Sequence, residues 1–254
     1  MSLAGSFRHI GVARAYRHRP PYPPALFDAL EALIVDEPRH VLDLGAGDGA
    51  LARALAARVA RVDAVEISPA MVDAGRTRPG GDRDNLIWHV QAAETLTLPG
   101  PYALVTAGAS LHWMQWAPTL AYIVRVLAPG AMLAIAEQQY HALPWRGALN
   151  EVIVRHSRNP TYDPSFSLPD ELVRQGLFTI HGRFETPPAE FCQPVADYIE
   201  QFHSTASLAR ELMPPSEAEL FADSATTAVS GYARDDGQLA MHTVATLTWG
   251  RPRR

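Results

Sequence analysis

The 254-residue sequence has no lysine: all 22 basic residues are arginine. Set against 27 acidic residues this gives a formal charge of −5, and no block of like charges stands out. A partner that offers a nucleic-acid backbone is therefore not indicated, because such binding needs clustered cations. Cysteine is nearly absent. Cys192 stands alone, so no intrachain disulfide forms, and a reducing compartment, the cytoplasm, is expected. No stretch of about 18 uncharged apolar residues occurs, which argues against a membrane span. The N-terminus also lacks an apolar run behind a basic start, the mark of a secretory leader. Histidine, cysteine and acid show no metal spacing: His9, His18 and His112 are isolated, and Asp235-Asp236-Gly237 reads as a turn. No metal is expected.

What the sequence does hold is rhythm. Val41 to Leu44 reads as a buried strand and Gly45 to Gly49 as a tight turn. Ala50 to Val59 follows with helical spacing, and Arg61 to Ile67 is a second strand. Ser68-Pro69 suits a helix start running to about Arg78, with serine as cap and proline at the first position. Further strands are predicted over Leu86 to Gln91, Tyr102 to Thr106 and Ala131 to Ala136, with a helix over Leu120 to Leu127. Strands that alternate with helices at this pace imply parallel βαβ units with right-handed crossovers. The expected class is α/β: a doubly wound, Rossmann-like sheet with helices on both faces. After Ala136 the rhythm breaks. Helical patterns over Trp145 to His156, Ala196 to Leu212 and Ser216 to Val229, with turn-rich Arg158 to Pro164, fit no βαβ unit. Strands at Phe178 to Glu185 and Ala240 to Trp249 bring the total to seven, the last antiparallel. A single domain follows, with its core at about 25–137, 170–187 and 238–254. A largely helical cap would be made by about 138–169 and 188–237 and cover the sheet's carboxyl edge.

Ligands of such sheets bind outside the carboxyl ends of the strands, where the Gly45 to Gly49 turn must lie. Glycines there let the chain turn sharply and let a ligand approach the backbone. Glu66, 17 residues beyond Gly49, closes the second strand, where an acid binds a ribose diol. This much fits two ligands, since Gly45, Gly47 and Ala50 also satisfy a dinucleotide fingerprint. Asp43 discriminates. A buried acid two residues before the first glycine has no use beside a pyrophosphate. It does complement a ligand that carries a sulfonium and an ammonium charge.

With those residues in place, the sequence resembles the class I S-adenosylmethionine-dependent methyltransferases over roughly residues 10 to 137. VLDLGAGDG at 41–49 is similar to the family's first motif and Glu66-Ile67-Ser68-Pro69 to its second. The resemblance implies S-adenosylmethionine as cofactor. Glu66 would hold both ribose hydroxyls, Ile67 would pack on adenine, and Asp43 would order the ammonium end. Gly45, Ala46 and Gly47 would meet the methionine portion and the sugar through their backbone. Gln91-Ala92-Ala93-Glu94 departs from the family's Gly-Asp-Ala-Glu, which leaves adenine recognition to backbone near Ala93 or to Glu94. Ala107 to Trp113 resembles the segment after the fourth strand in small-molecule members, including those similar to trans-aconitate methyltransferase. Tyr16 and Arg19, in a segment similar to one that folds over the cofactor, would bind its carboxylate. His112 stands where the methyl group should emerge, as a general base or as a pocket liner beside Trp113 and Trp116. No Asn/Asp-Pro-Pro-Tyr follows the fourth strand, which speaks against nucleic-acid bases as acceptors. The expected reaction is methyl transfer to a small-molecule acceptor, with oxygen favoured. A nicotinamide-dependent oxidoreductase and a non-catalytic protein that binds S-adenosylmethionine are the rivals.

Overall fold

The structure is a computed structural model and describes residues 10–159 and 166–253. The predicted turn at Pro160 to Pro164 and the isolated His9 lie outside those residues. The described chain divides into two compact units. The larger holds residues 22–138, 166–187 and 244–253; the smaller holds 10–21, 139–159 and 188–243. Elements are numbered along the chain.

In the larger unit β1 (His40–Leu44), β2 (Arg61–Glu66), β3 (Leu86–Val90), β4 (Tyr102–Gly108) and β5 (Leu127–His141) are parallel neighbours in the order β3-β2-β1-β4-β5. The order continues through β8 (Gln238–Pro252) to β6 (Phe178–Glu185), and these two run antiparallel to each other. Strand order thus reverses between β1 and β4, the switch point at which an open α/β sheet leaves a crevice.

Alternation along the strands divides their side chains between two cores. Val41, Val62, Leu104 and Ala134 face Leu26 and Leu30 of α2 (Pro24–Ala32) and Leu55 of α3 (Ala52–Ala56). Leu42, Val65, Val105 and Leu133 face Leu120 and Ile123 of α5 (Trp116–Val126) and Leu172 of α7 (Leu168–Arg174). Both faces are covered, as apolar strands without polar alternation require. The doubly wound α/β class follows from this arrangement. α4 (Pro69–Arg76) begins as its sequence predicts, with Pro69 at the first position and Ser68 Oγ accepting from the Met71 N–H at 3.4 Å.

The smaller unit has its own core. Trp145, Leu149 and Val152, on and just before α6 (Arg146–His156), pack with Phe221 and Ala225 of α9 (Pro215–Val229) and with Tyr198 of α8 (Val195–Glu200). α1 (Ile10–Tyr16) belongs to it too. Two features differ from expectation. The helix predicted over Ala196 to Leu212 stops at Glu200 and gives way to 3₁₀ turns. Thr205 Oγ1 donates to the Phe202 carbonyl at 2.7 Å, and Ser204 Oγ donates likewise to Gln201, so hydroxyls compete with the helical ladder. An eighth strand, β7 (Ala189–Pro194), pairs antiparallel with residues 238–243 of β8, in a stretch expected to open the largely helical cap and in which no strand is predicted.

Candidate active site

The glycine turn is held from both sides. The Ala46 N–H donates to the Val65 carbonyl at 2.9 Å, which ties the turn to β2. Ser110 Oγ donates to the Leu44 carbonyl at 2.6 Å, which ties it to the segment after β4. Gly45, Gly47 and Gly49 have φ of +64°, +60° and +80°, a region that other residues enter only with strain. At Gly45 the reason is also spatial: a Cβ would lie 2.5 Å from the Ser110 Cβ. Behind the turn, Asp48 is paired with Arg78 at 2.9 Å. The helix after the turn is shorter than predicted, five residues in place of ten, so its aligned N–H groups are few and the turn itself makes the cradle.

Two acids flank this cradle, and their environments differ. Glu66 is buried at the end of β2, where Oε2 accepts from the Gly47 N–H and Oε1 from the Ser68 N–H, each at 2.9 Å. Burial raises its pKa, and these backbone donors counter part of the rise. Asp43 is also buried, and Oδ1 accepts from the Thr106 hydroxyl at 2.7 Å. Its Oδ2 is buried with no hydrogen-bond partner among the described residues. Desolvation pushes the Asp43 carboxyl up to about 7, against the pull of Thr106 and of the nearby Ala52 N–H, which completes no hydrogen bond to Oδ2. A buried unpaired oxygen costs about 1–3 kcal/mol, so the site is incomplete without a donor from elsewhere. A ligand ammonium group would supply both that donor and a charge. Ile67 follows Glu66 and leaves 42% of its surface open, an apolar platform beside that buried acid. Orphan oxygen, backbone cradle and open platform together fit S-adenosylmethionine.

The remaining predicted residues are placed less simply. Ala93 is buried in a 3₁₀ turn after β3, and Glu94 Oε1 accepts from the Gln115 N–H at 2.8 Å. Glu94 thereby anchors the approach to α5 with one of its oxygens. Ala107 is buried in β4, two residues before Ala109, whose φ of +47° turns the chain away from the sheet. His112 and Trp113 are exposed in the next 3₁₀ turn with ring centroids 4.6 Å apart. Trp116 donates from its indole N–H to the Leu111 carbonyl at 3.1 Å and packs on the core. Tyr16 and Arg19 lie in the smaller unit, where the Arg19 guanidinium sits 4.1 Å over the Tyr16 ring and donates to Ser204 Oγ at 2.8 Å. Tyr140 and His203 are in that unit as well. The Tyr140 hydroxyl donates to Gln201, and His203 Nδ1 meets the Leu208 carbonyl.

Sequence reading missed Thr106 and Ser110, which bind Asp43 and the Leu44 carbonyl across 63 and 66 residues of chain. Their only local signal is a hydroxyl in or just beyond an apolar strand. Among the described residues no group of three or more His, Cys, Asp or Glu is arranged to hold a metal. Likewise no described helix is long and apolar enough to cross a membrane.

A family described as a methyltransferase domain matches residues 41–130, which run from β1 to just short of the core of β5. A malonyl-[acyl-carrier protein] O-methyltransferase of Halorhodospira halophila is 32% identical over 243 residues, which cover 89% of this chain and 72% of that protein. Uncharacterized methyltransferases of Mycobacterium bovis and Mycobacterium tuberculosis are 33% identical over 141 residues, so the match spans about half (55%) of the length of these relatives. Among solved structures, a putative type II methyltransferase from Anaeromyxobacter dehalogenans aligns with a TM-score of 0.61 at 21% identity, over 92% of this chain and 97% of that one. A methyltransferase from Geobacter sulfurreducens, solved with S-adenosyl-L-homocysteine, aligns with a TM-score of 0.54 at 16% identity, over 95% and 96% of the two chains. These structural likenesses speak to the fold. Sequence match, fold and turn agree, and the chain belongs to the class I S-adenosylmethionine-dependent methyltransferases.

Proposed function

We propose that this protein transfers a methyl group from S-adenosylmethionine to an oxygen atom of a small-molecule acceptor. The observation that carries the cofactor half is Asp43 Oδ2, buried and without a partner among the described residues, at the lip of the glycine cradle. A nicotinamide dinucleotide offers no cation there, so an oxidoreductase would bear the cost of that oxygen without return. When bound, the cofactor supplies an electrophilic methyl group on a positively charged sulfur. The protein's part is to bind, align and dry. Asp43 takes the ammonium group, and Glu66 takes the ribose diol on the lone pairs that Gly47 and Ser68 leave open. Gly45, Ala46 and Gly47 bring the backbone close. Ile67 carries the adenine face, and Ala93, Glu94 and Ala107 border the cofactor on its other side. His112 meets the acceptor hydroxyl and, with Trp113, holds it in line.

Net charge and the absence of a base-methylating motif support a small acceptor over nucleic acid. The O-methyltransferase from Halorhodospira halophila supports oxygen as the target atom, since the match covers 89% of this chain and 72% of that protein, which has that chemistry in its name. The test is a thermal-shift comparison of S-adenosylhomocysteine with NAD(H), followed by an acceptor screen with methyl-labelled cofactor. Stabilisation by S-adenosylhomocysteine alone, followed by label transfer to a hydroxyl compound, is the expected result. Stabilisation by NAD(H) would overturn the cofactor assignment. Tight S-adenosylhomocysteine binding with no label transferred to any acceptor would favour a non-catalytic binding protein.

A further inference from the structure

Glu137 is an acid at the carboxyl edge of the larger unit's sheet that the cofactor scheme leaves unused. It follows Ala136 in β5, and Ala136 pairs with Gly108 of β4. The Ala136 carbonyl also accepts the Ala109 N–H at 2.9 Å, at the point where β4 ends and the His112 turn begins. Register fixes the side of the sheet. Asp43, Thr106 and Ala134 are Cα partners along one row, Asp43 and Thr106 hydrogen-bond on one side of it, and Ala134 packs in the core that holds Leu55 of α3. Glu137 is three residues past Ala134, so alternation sends it to the other face, that of Leu133 and Ile135. Those two pack with Leu111, the first residue of the turn that carries His112 and Trp113. β5 is next to β4, and β4 is next to β1, so Glu137 lies two strands along the sheet from the strand that leads into the glycine turn.

Its chemistry is unusual for an exposed residue. Arginines ion-pair with many of this chain's surface acids, yet the Glu137 carboxylate has no hydrogen bond or ion pair among the described residues. Partial burial alone raises its pKa, with no neighbouring charge contributing in either sense. The segment from Ala107 to Trp116 also carries no arginine. An anionic acceptor would therefore find no arginine in that segment and a like charge at Glu137, whereas a neutral hydroxyl would find an acceptor for its hydrogen.

We propose that Glu137 receives the proton of the methyl acceptor, and that the acceptor is consequently a neutral alcohol or phenol and not a carboxylate. A carboxylate is already ionised at neutral pH and needs no base. In the step, the acceptor O–H bond breaks and its proton passes to a Glu137 oxygen. The electron pair left on oxygen forms the bond to the methyl carbon, and the carbon–sulfur pair departs with sulfur. His112 steers the same hydroxyl without taking its proton. This inference rests on the proposed methyl-transfer reading.

The test pairs the parent with Glu137→Gln and begins with calorimetry of S-adenosylhomocysteine. Equal affinities within twofold show an intact cofactor site. If neither protein binds S-adenosylhomocysteine, the cofactor reading fails and the proposal falls with it, an outcome distinct from those that follow. Infrared titration then follows the carbonyl band of a protonated carboxyl group. The parent keeps a band, missing from Glu137→Gln, at a pH above the ordinary glutamate value of about 4.3. Label transfer is finally compared across phenols, aliphatic alcohols and carboxylates. Transfer to hydroxyl acceptors that falls about 100-fold or more in Glu137→Gln, and loses its rise with pH, supports the proposal. A Glu137 carboxyl that titrates at the ordinary value overturns it, whatever the acceptor panel yields. Transfer to carboxylates at equal rates in both proteins overturns it as well.

Discussion

The ends of β1 and β2 and the ends of β4 and β5 belong to one sheet edge of the larger unit, and they are built differently. On the β1–β2 side the acids are buried, Glu66 held by backbone N–H groups and Asp43 by the Thr106 hydroxyl, beside a Gly45 that leaves no room for a side chain. On the β4–β5 side His112, Trp113 and Glu137 are open, and the Glu137 carboxylate has no partner among the described residues. One half is a rigid mould for a ligand of fixed shape, in which positioning is set before binding. The other leaves polar and aromatic groups accessible for a molecule still to come. The mould tolerates almost no change, whereas the open half should change its substrate preference with little effect on folding.

That contrast can be broken by substitution, most severely at Gly45. Gly45→Ala places a Cβ 2.5 Å from Ser110 and forces a left-handed backbone on alanine. Strain and clash together should cost about 2–4 kcal/mol, and S-adenosylhomocysteine binding should be lost. Denaturant unfolding and calorimetry measure the two effects, and a fully stable variant that binds normally would show the mould to be soft.

Asp43→Asn should act in opposite senses on binding and stability. Loss of the carboxylate weakens S-adenosylhomocysteine binding by about 1–3 kcal/mol, or roughly 10- to 100-fold. The unliganded variant should, however, gain stability at pH 8. A raised carboxyl pKa means the folded state favours the protonated acid, so its contribution is full below the unfolded value of 3.8 and is lost as pH rises through about 7. The parent should therefore lose stability between pH 4 and 7 relative to Asp43→Asn, as melting curves across that range can show. For the same reason its ligand affinity should rise from pH 6 to 8, since the ammonium group requires the ionised form.

On the open side the effects are smaller. His112→Asn should lower label transfer about tenfold and leave the shape of its pH profile unchanged, because steering is lost and not the base. A pH profile that flattens would return the proton to His112. Trp113→Ala should raise the acceptor KM a few-fold, with S-adenosylhomocysteine affinity and melting temperature both unmoved. A drop in cofactor affinity there would mean that the two halves are not separate.

Legibility in the sequence follows the same division. Asp43, the three glycines and Glu66 are readable because one strand, one turn and the end of the next strand put them in near-continuous sequence. The alternation of strands and helices made the doubly wound sheet readable in the same local way. Thr106 and Ser110 were not, since only the β1–β4 pairing brings them beside Asp43 and Leu44. Glu137 carries no local mark either: a glutamate after an apolar strand resembles any solvated strand end. β7 was hidden by its composition. Ala-Glu-Phe-Cys-Gln-Pro holds a glutamate and a proline, residues poor in central strands, and it pairs only along β8. The helix over Ala196 to Leu212 failed for the opposite reason, because apolar spacing outvoted the Ser204 and Thr205 hydroxyls that end it.

The packing of Trp88 has a practical consequence for observing this protein. A Cβ at Gly49 would lie 2.6 Å from the Trp88 Cη2, and one at Gly75 2.5 Å, while the indole N–H donates to the Gly81 carbonyl at 3.0 Å. The ring is thus wedged between the end of the cofactor turn and the helix behind it. The last glycine of the turn makes room for an aromatic ring and not for the ligand. Of the protein's five tryptophans, Trp88 is the one lodged against that turn, so its emission is an optical gauge of whether the turn is formed. A variant with the other four replaced by phenylalanine would report ligand arrival by fluorescence, with no label attached.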